Sequence, residues 1–535
     1  MKKNILFIFI VCATLLCPAG AQNLIPIPSK CVKMAGEPLV WSNVGHIDAP
    51  DSLMNEVEHA TRIVNERAGV DIATSGGTAV ISLVADNSIT DREGYTLTLT
   101  DGGVTIKGRT AAGIFYGLMT MEQLMIGDGT GATCIETSPV SIEDSPRTHI
   151  RELMVDPARM FIPLADLKAL VPEMARYKLN SIHLHLVDDQ GWRIEIKSYS
   201  KLTEEGSTRE GMDELKKTLS GYYTQDEMRE FVAYAARYHV MVVPEIEMPG
   251  HEQAAIHCFP QLTCNSTVVP IRTVTGVSNY LLCPGRENTY TFLGNVFREL
   301  ADIFPCAYIH LGGDEAGSPS LGCWTDCPDC QALKTRLGIS PTTNRSDNWQ
   351  LQKYLFDRMI DTLRTKYNKI PMFWYETDFK TIQAGCVTFA WRHGLTQAAI
   401  NAAVSNNAKI MLCPGEHCYF DYPAKSGNMP EVNWGMPVTS LEQAYQLDPS
   451  WGMGANFEEK NLFGVAGTLW GECMFTSPRI SYMAYPRALA LAEAGWSLQA
   501  NRSFAGFKQR LRPILLDMQR RGIPFYIPNE YIDMQ

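Results

Sequence analysis

Two periodicities divide the chain. From residue 22 to residue 145 apolar and polar positions alternate, as in Tyr95-Thr96-Leu97-Thr98-Leu99 and Gly103-Val104-Thr105-Ile106, with Gly and Asp at the turns. That period of two predicts half-buried strands. The stretch Thr110 to Leu124 repeats its apolar positions at helical spacing instead. These elements predict a small N-terminal α/β domain over residues 22–145, closed by a boundary at Asp144-Ser145-Pro146.

Beyond Pro146 the pattern changes to short, continuously apolar runs separated by longer helical stretches. Eight such runs read as strands: His149–Val155, Ser181–Val187, Val240–Ile246, Ala307–Leu311, Ile370–Tyr375, Val387–Trp391, Lys409–Leu412 and Gly464–Leu469. Thr224 with Glu227 three residues on forms a capping box before a helix over Met228–Tyr238, and Ser346–Tyr367 reads as a long amphipathic helix. Eight strands alternating with helices predict a (β/α)8 TIM barrel over residues 146–535, ending in a C-terminal helix. A doubly wound open sheet is the competing architecture, but no Gly-rich phosphate loop follows the early strands.

Composition narrows the function. The 535 residues carry 47 Lys and Arg against 58 Asp and Glu, a formal charge of −11, which argues against nucleic acid as a partner. Met1 to Ala21 has the layout of a secretory signal peptide: Lys2 and Lys3, an apolar run from Ile5 to Leu16, and a small-residue end at Ala19-Gly20-Ala21. Export to the periplasm or beyond is therefore expected, and no later stretch is long and apolar enough to predict a membrane span. Fifteen cysteines include Cys12 and Cys17 of that leader. The rest are odd in number, so at least one thiol is expected to be free. Cys323, Cys327 and Cys330 have metal-ligand spacing but no fourth ligand nearby in sequence, so disulfides and plain loop cysteines compete with a metal, and no metal is assigned. Cys258 and Cys264 bracket a short loop that a local bridge could close.

Polar and aromatic residues collect where the eight strands end, the face on which barrel active sites are built. The sharpest group is His310-Leu311-Gly312-Gly313-Asp314-Glu315, a strand running through two glycines into adjacent carboxylic acids. Trp374, Trp391, Tyr419 and Trp470 stand at other strand ends, beside acids such as Glu472. Aromatic faces with carboxylates at the rim suit a sugar. Adjacent carboxylates are poorly placed to flank a glycosidic bond, because acid and nucleophile normally stand roughly 5 to 9.5 Å apart. If Glu315 is the acid, a 2-acetamido group of the substrate can supply the nucleophile, with Asp314 steadying the oxazolinium ion that forms.

The chain resembles family 20 glycoside hydrolases, the β-N-acetylhexosaminidases. The resemblance rests on His310 to Glu315, on His183-Leu184-His185-Leu186-Val187-Asp188-Asp189-Gln190-Gly191-Trp192-Arg193, on Pro244-Glu245-Ile246-Glu247-Met248-Pro249-Gly250-His251 and on Trp470-Gly471-Glu472. The first domain is also similar to the family's non-catalytic domain, notably at Gly113-Ile114-Phe115-Tyr116-Gly117. It implies Glu315 as general acid/base and Asp314 as the residue that orients the acetamide, with Tyr419 bonding the acetamide carbonyl. It further implies Arg151, Glu472 and Asp421 on the sugar hydroxyls, Trp374, Trp391 and Trp470 as pocket walls, and Asp188 or Asp189 with His251 as a relay to Glu315. Where many relatives place an acid directly after the strand-five Trp, this chain has Trp374-Tyr375-Glu376.

These readings converge on an exo-acting, retaining β-N-acetylhexosaminidase that needs no cofactor and acts on glycans or glycoconjugates ending in β-linked GlcNAc or GalNAc. Two alternatives stay open at this point. One is a barrel that binds carbohydrate without cleaving it, and the other is a two-carboxylate glycosidase using Glu245 or Glu472 as nucleophile.

Overall fold

The computed structural model describes residues 23–126, 135–210, 218–316, 322–340, 348–376, 382–426, 435–450, 461–474 and 476–534. The leader expected at Met1 to Ala21 lies outside them. The chain divides into two compact units, with the main boundary between Asp144 and Ser145.

The N-terminal unit is built on β1 (Lys30–Lys33), β2 (Val44–Asp48), α1 (Met54–Ala68), β3 (Ala79–Ala85), β4 (Tyr95–Thr100), β5 (Gly103–Gly108), α2 (Ala111–Leu124) and β6 (Val140–Asp144). Its sheet runs β1-β6-β4-β5-β3-β2, antiparallel from β1 to β5 and parallel through β3 to β2. Strict alternation along β4 buries Tyr95, Leu97 and Leu99 on one face. Helix α2 is the one the Thr110–Leu124 spacing predicts, but it is buried from Gly113 to Leu124 rather than on one stripe only. Close packing requires its glycines: a Cβ at Gly117 would stand 2.4 Å from Ile106 Cγ2.

The second unit contains β7 (Ile150–Val155), α3 (Leu164–Arg176), β8 (Ser181–His185), α4 (Gln225–Arg237), β9 (Met241–Glu245), α5 (Glu287–Ile303), β10 (Tyr308–His310), α6 (Pro328–Arg336), α7 (Trp349–Tyr367), β11 (Ile370–Trp374), β12 (Val387–Ala390), α8 (Thr396–Ser405), β13 (Lys409–Leu412), β14 (Leu462–Leu469) and α9 (Arg487–Trp496), and the C-terminal helix follows as α10 (Phe504–Arg520). The eight strands β7 to β14 pair in parallel and close on themselves, β14 bonding β7 from Gly464↔Ile150 to Leu469↔Val155. Every predicted strand is present within a few residues of its expected ends. The Thr224 box forms as read, with Thr224 accepting from the Glu227 N–H and Glu227 accepting from the Thr224 N–H. Strands β7 and β8 are buried at every position, as expected for parallel strands covered on both sides. Among the described residues no helix is long and apolar enough to cross a membrane.

Candidate active site

The barrel interior is polar at one level. Glu245, the last residue of β9, receives a hydrogen bond from Trp374 Nε1 at 2.7 Å and lies 2.7 Å from His310 Nδ1, 3.1 Å from His183 Nε2 and 2.5 Å from His185 Nδ1. Burial works to raise its pKa, yet the three imidazoles outweigh burial and hold Glu245 well below the ordinary carboxylate range. All of these groups are buried, and the carboxylate of Glu245 is enclosed by the indole and the imidazoles around it. Glu245 therefore cannot reach a substrate, which removes it as a nucleophile.

Above this layer the strand ends enclose a cavity of about 160 Å³. Its lining comprises Asp314 and Glu315 after β10, Trp391 after β12, Tyr419, Asp421 and Tyr422 after β13, Trp470 and Glu472 after β14, with His251 and Arg159. Trp374 does not line the cavity. It is fully buried, its ring 5.6 Å from that of Trp470, and it forms the floor under that wall.

Local backbone geometry aims the acids. Gly312 and Gly313 both have positive φ, and a Cβ at Gly312 would fall 1.7 Å from Glu247 Oε2. The Gly313 N–H donates to that oxygen at 3.3 Å. The turn ends on Glu315, whose own φ of 54° is a left-handed conformation uncommon for a non-glycine residue. The Glu315 N–H donates to Glu376 Oε1 at 3.0 Å, and Arg392 grips both oxygens of Glu376 at 2.7 and 2.8 Å. Glu376, whose position departs from the family's usual pattern, thus holds the backbone of the acid.

His251 also has φ 54°, and its Nε2 stands 3.5 Å from Glu315 Oε2 and 3.7 Å from Asp314 Oδ2. Its Nδ1 is 3.1 Å from Asp188 Oδ1. Asp188 is shared further, with His185 Nε2 at 2.8 Å and Arg159 Nη2 at 2.8 Å. Of the two acids the sequence left open, Asp188 is the one in close contact with His251. Asp189 stands 4.0 Å from His251 Nδ1 and spends its oxygens on the backbone N–H groups of Gln253 and Ser278 at 3.1 and 2.8 Å. Burial lowers His251, but Asp188 and Asp314 raise it well above the ordinary imidazole value and favour the cation. Burial and the Glu315 charge push Asp314 up to about 7 despite His251. Burial also raises Glu315, but the nearby charge of His251 outweighs it and leaves this acid below its ordinary value. The environment thus drives the two neighbouring acids apart, Asp314 upward and Glu315 downward.

Arg151 is the correction. It lies near the start of β7, away from the strand end, fully buried beside the Trp496 ring, with Nε donating to Lys178 O at 2.6 Å and Nη1 to Thr148 O at 2.7 Å. The arginine in the cavity is Arg159, in the loop after the same strand, bridged to Asp156 at 3.0 Å and standing 3.7 Å from Glu472. A strand that ends at Val155 places residue 151 at the wrong end of the barrel for chemistry. The other predicted groups, Tyr419, Asp421, Trp391, Trp470 and Glu472, meet in the cavity. Asp314 Oδ1, Tyr419 Oη and Asp421 Oδ1, on three residues that line the cavity, are buried without a hydrogen-bond partner.

Paired carboxylates and stacked aromatic walls in a cavity at the C-terminal face of a TIM barrel define a glycoside hydrolase. The profile described as glycosyl hydrolase family 20, catalytic domain, matches residues 149–499, and that of glycosyl hydrolase family 20, domain 2, matches residues 21–145. A beta-hexosaminidase of Akkermansia muciniphila is 37% identical over 438 residues, covering 81% of this chain and 85% of that one. A crystal structure of a beta-N-acetylhexosaminidase superposes with a TM-score of 0.79 at 33% identity, covering 93% of this chain and 95% of the other. The exo beta-N-acetylglucosaminidase of Vibrio harveyi, solved in complex with N-acetylglucosamine, superposes with a TM-score of 0.81 at 28% identity, covering 95% and 79%. The chain belongs to glycosyl hydrolase family 20. Its activity is that of a β-N-acetylhexosaminidase.

Proposed function

We propose that Glu315 and Asp314 divide the reaction between them. Glu315 gives its proton to the glycosidic oxygen as the C1–O bond breaks, while the acetamido carbonyl oxygen of the same sugar attacks C1 and closes an oxazolinium ring. Asp314 accepts the acetamido N–H and balances the positive charge. The Tyr419 hydroxyl donates to the carbonyl oxygen and fixes its angle of attack. Glu315, now ionised, takes a proton from water as that water opens the ring at C1, which restores the β configuration. Arg159, Glu472 and Asp421 hold the hydroxyls of the outermost sugar between Trp391 and Trp470.

The observation that carries this reading is the pairing of Asp314 Oδ1 with Tyr419 Oη as buried, unpartnered groups in one cavity. An acetamide offers an N–H to the first and a carbonyl to the second. The Vibrio enzyme's complex with N-acetylglucosamine supports the same class of ligand. The leader at Met1 to Ala21 supports export to the periplasm or the medium.

Comparing p-nitrophenyl β-GlcNAc with p-nitrophenyl β-glucoside tests the assignment, because only the 2-substituent differs. Strong preference for the acetamido sugar is expected. Comparable rates would return the reaction to a two-carboxylate mechanism with Glu472 as partner.

A further inference from the structure

Four cysteines from three separate stretches meet behind the active-site loops. Cys264 and Cys283 stand at the two ends of one long loop, joined there by a Thr263↔Leu282 bridge and a Cys283 N–H to Leu262 O bond of 2.8 Å. Cys327 caps α6, and Cys330 lies in the first turn of that helix. All four are buried among Leu281, Trp324, Leu333 and Leu351. The sulfurs of Cys264 and Cys330 are 3.8 Å apart, those of Cys283 and Cys327 3.8 Å, and those of Cys283 and Cys330 3.6 Å. Every pair lies within 4.8 Å.

Those distances decide between two chemistries. A disulfide needs sulfurs ~2.05 Å apart. Zinc–thiolate bonds of ~2.3 Å in a tetrahedron put the sulfurs ~3.8 Å apart. The Cys327-Pro328-Asp329-Cys330 segment has the two-residue spacing of a zinc knuckle, and the Cys330 N–H donates to the Cys327 sulfur. Arg286 stands alongside, its Nε bonded to Asp329 at 2.7 Å and its Nη groups to the carbonyls of Thr263 and Cys264 at 2.9 and 2.5 Å. Arg286 thereby ties the Cys264 end of the loop to the first turn of α6, which carries Cys330.

We infer that Cys264, Cys283, Cys327 and Cys330 bind one structural zinc ion as a tetrathiolate. On binding, the four thiols release their protons to solvent and no electrons move. With no position open for water, the ion does no chemistry on substrate. Its work is to clamp a loop that serves the active site: Ser278, inside that loop, donates to Asp189, and Leu282 donates to Pro249 O, two residues from His251, at 2.8 Å. Cys323 is not needed for the set, and Cys258 stands apart, its thiol donating to Lys201 O at 3.3 Å. The local bridge between Cys258 and Cys264 does not form.

The test is elemental analysis of the exported protein, purified with no metal added. About one zinc per chain is expected, released into a metallochromic dye as p-hydroxymercuribenzoate titrates the four thiols. Cys327→Ser and Cys330→Ser should each lose the ion and melt at a lower temperature, whereas Cys31→Ser should keep it. Should those variants fail to fold, non-reducing peptide mapping of the unaltered protein still decides. A Cys264–Cys330 or Cys283–Cys327 disulfide, or four reactive thiols with no bound zinc, overturns the assignment.

Discussion

His251 Nε2 reaches to 3.5 Å from Glu315 Oε2, and the two residues share the same left-handed backbone angle of 54°. Both chains turn sharply at the rim so that an imidazole and a carboxyl face each other. Asp188, on the far side of the ring, keeps the imidazole charged and fixes which nitrogen meets the acid. Asp188 and Glu315 thus stand on opposite sides of one imidazole.

Replacing Asp188 with Asn should neutralise His251 at neutral pH, since its raised pKa depends on that charge. Glu315 would then lose the contact that holds it down, and its pKa would rise. The check is the pH profile of kcat/KM with p-nitrophenyl β-GlcNAc, whose acidic limb should move to higher pH. An unmoved limb together with a lower Tm would show a purely structural residue.

Glu315→Gln removes the transferable proton while keeping shape. Loss of a general acid typically costs on the order of 10²- to 10⁴-fold, and that loss is expected in kcat on a disaccharide. An aryl substrate with an acidic leaving group should suffer much less in its first step. Equal losses on both substrates would argue that Glu315 positions rather than protonates.

Proton counting fixes the alkaline side. Catalysis needs one proton on the Asp314–Glu315 pair, and the ligand-free pair loses it as pH rises through about 7. Activity is therefore present below that value and falls above it. In Asp314→Asn the surviving acid is Glu315, which sits below its ordinary value. The alkaline limb should shift to lower pH, and kcat should drop by on the order of 10²-fold as the oxazolinium loses its counter-charge. A pH profile of the variant with the limb still near 7 would assign that ionisation elsewhere.

The two arginines should separate cleanly. Arg159→Lys keeps a cation beside Asp156 and Asp188 but loses the fork that reaches the cavity, so KM for p-nitrophenyl β-GlcNAc should rise about tenfold or more. Arg151→Met strands the carbonyls of Lys178 and Thr148 in the interior, at a cost of about 2–4 kcal/mol. Urea unfolding should register that loss while KM stays put. The reverse pattern would restore Arg151 to the substrate.

How far residues alone led depends on the range of the signal. Strand positions were legible because each barrel strand is a short apolar run closed by its own turn, such as Ile370 to Trp374. Asp314 and Glu315 were legible because two glycines announce the turn that aims them. Arg151 misled because an arginine on a strand carries no mark of which end of the barrel it occupies. The strand's own C-terminal limit at Val155 was the clue that pointed to Arg159. Glu245 gave no local sign of being the hub for three histidines contributed by two other strands. Cys264 and Cys283 were out of reach for a similar reason, standing 63 and 44 residues before Cys327 and converging only once the barrel loops fold back.

Trp470 is a wall of the cavity, and the buried Trp374 backs it from behind. Such a cavity reads only the tip of a chain, so an antennary glycan is shortened one ring per encounter and each branch is trimmed independently. Each ring removed exposes the next as the new tip, so the length of a branch counts the turnovers needed to clear it.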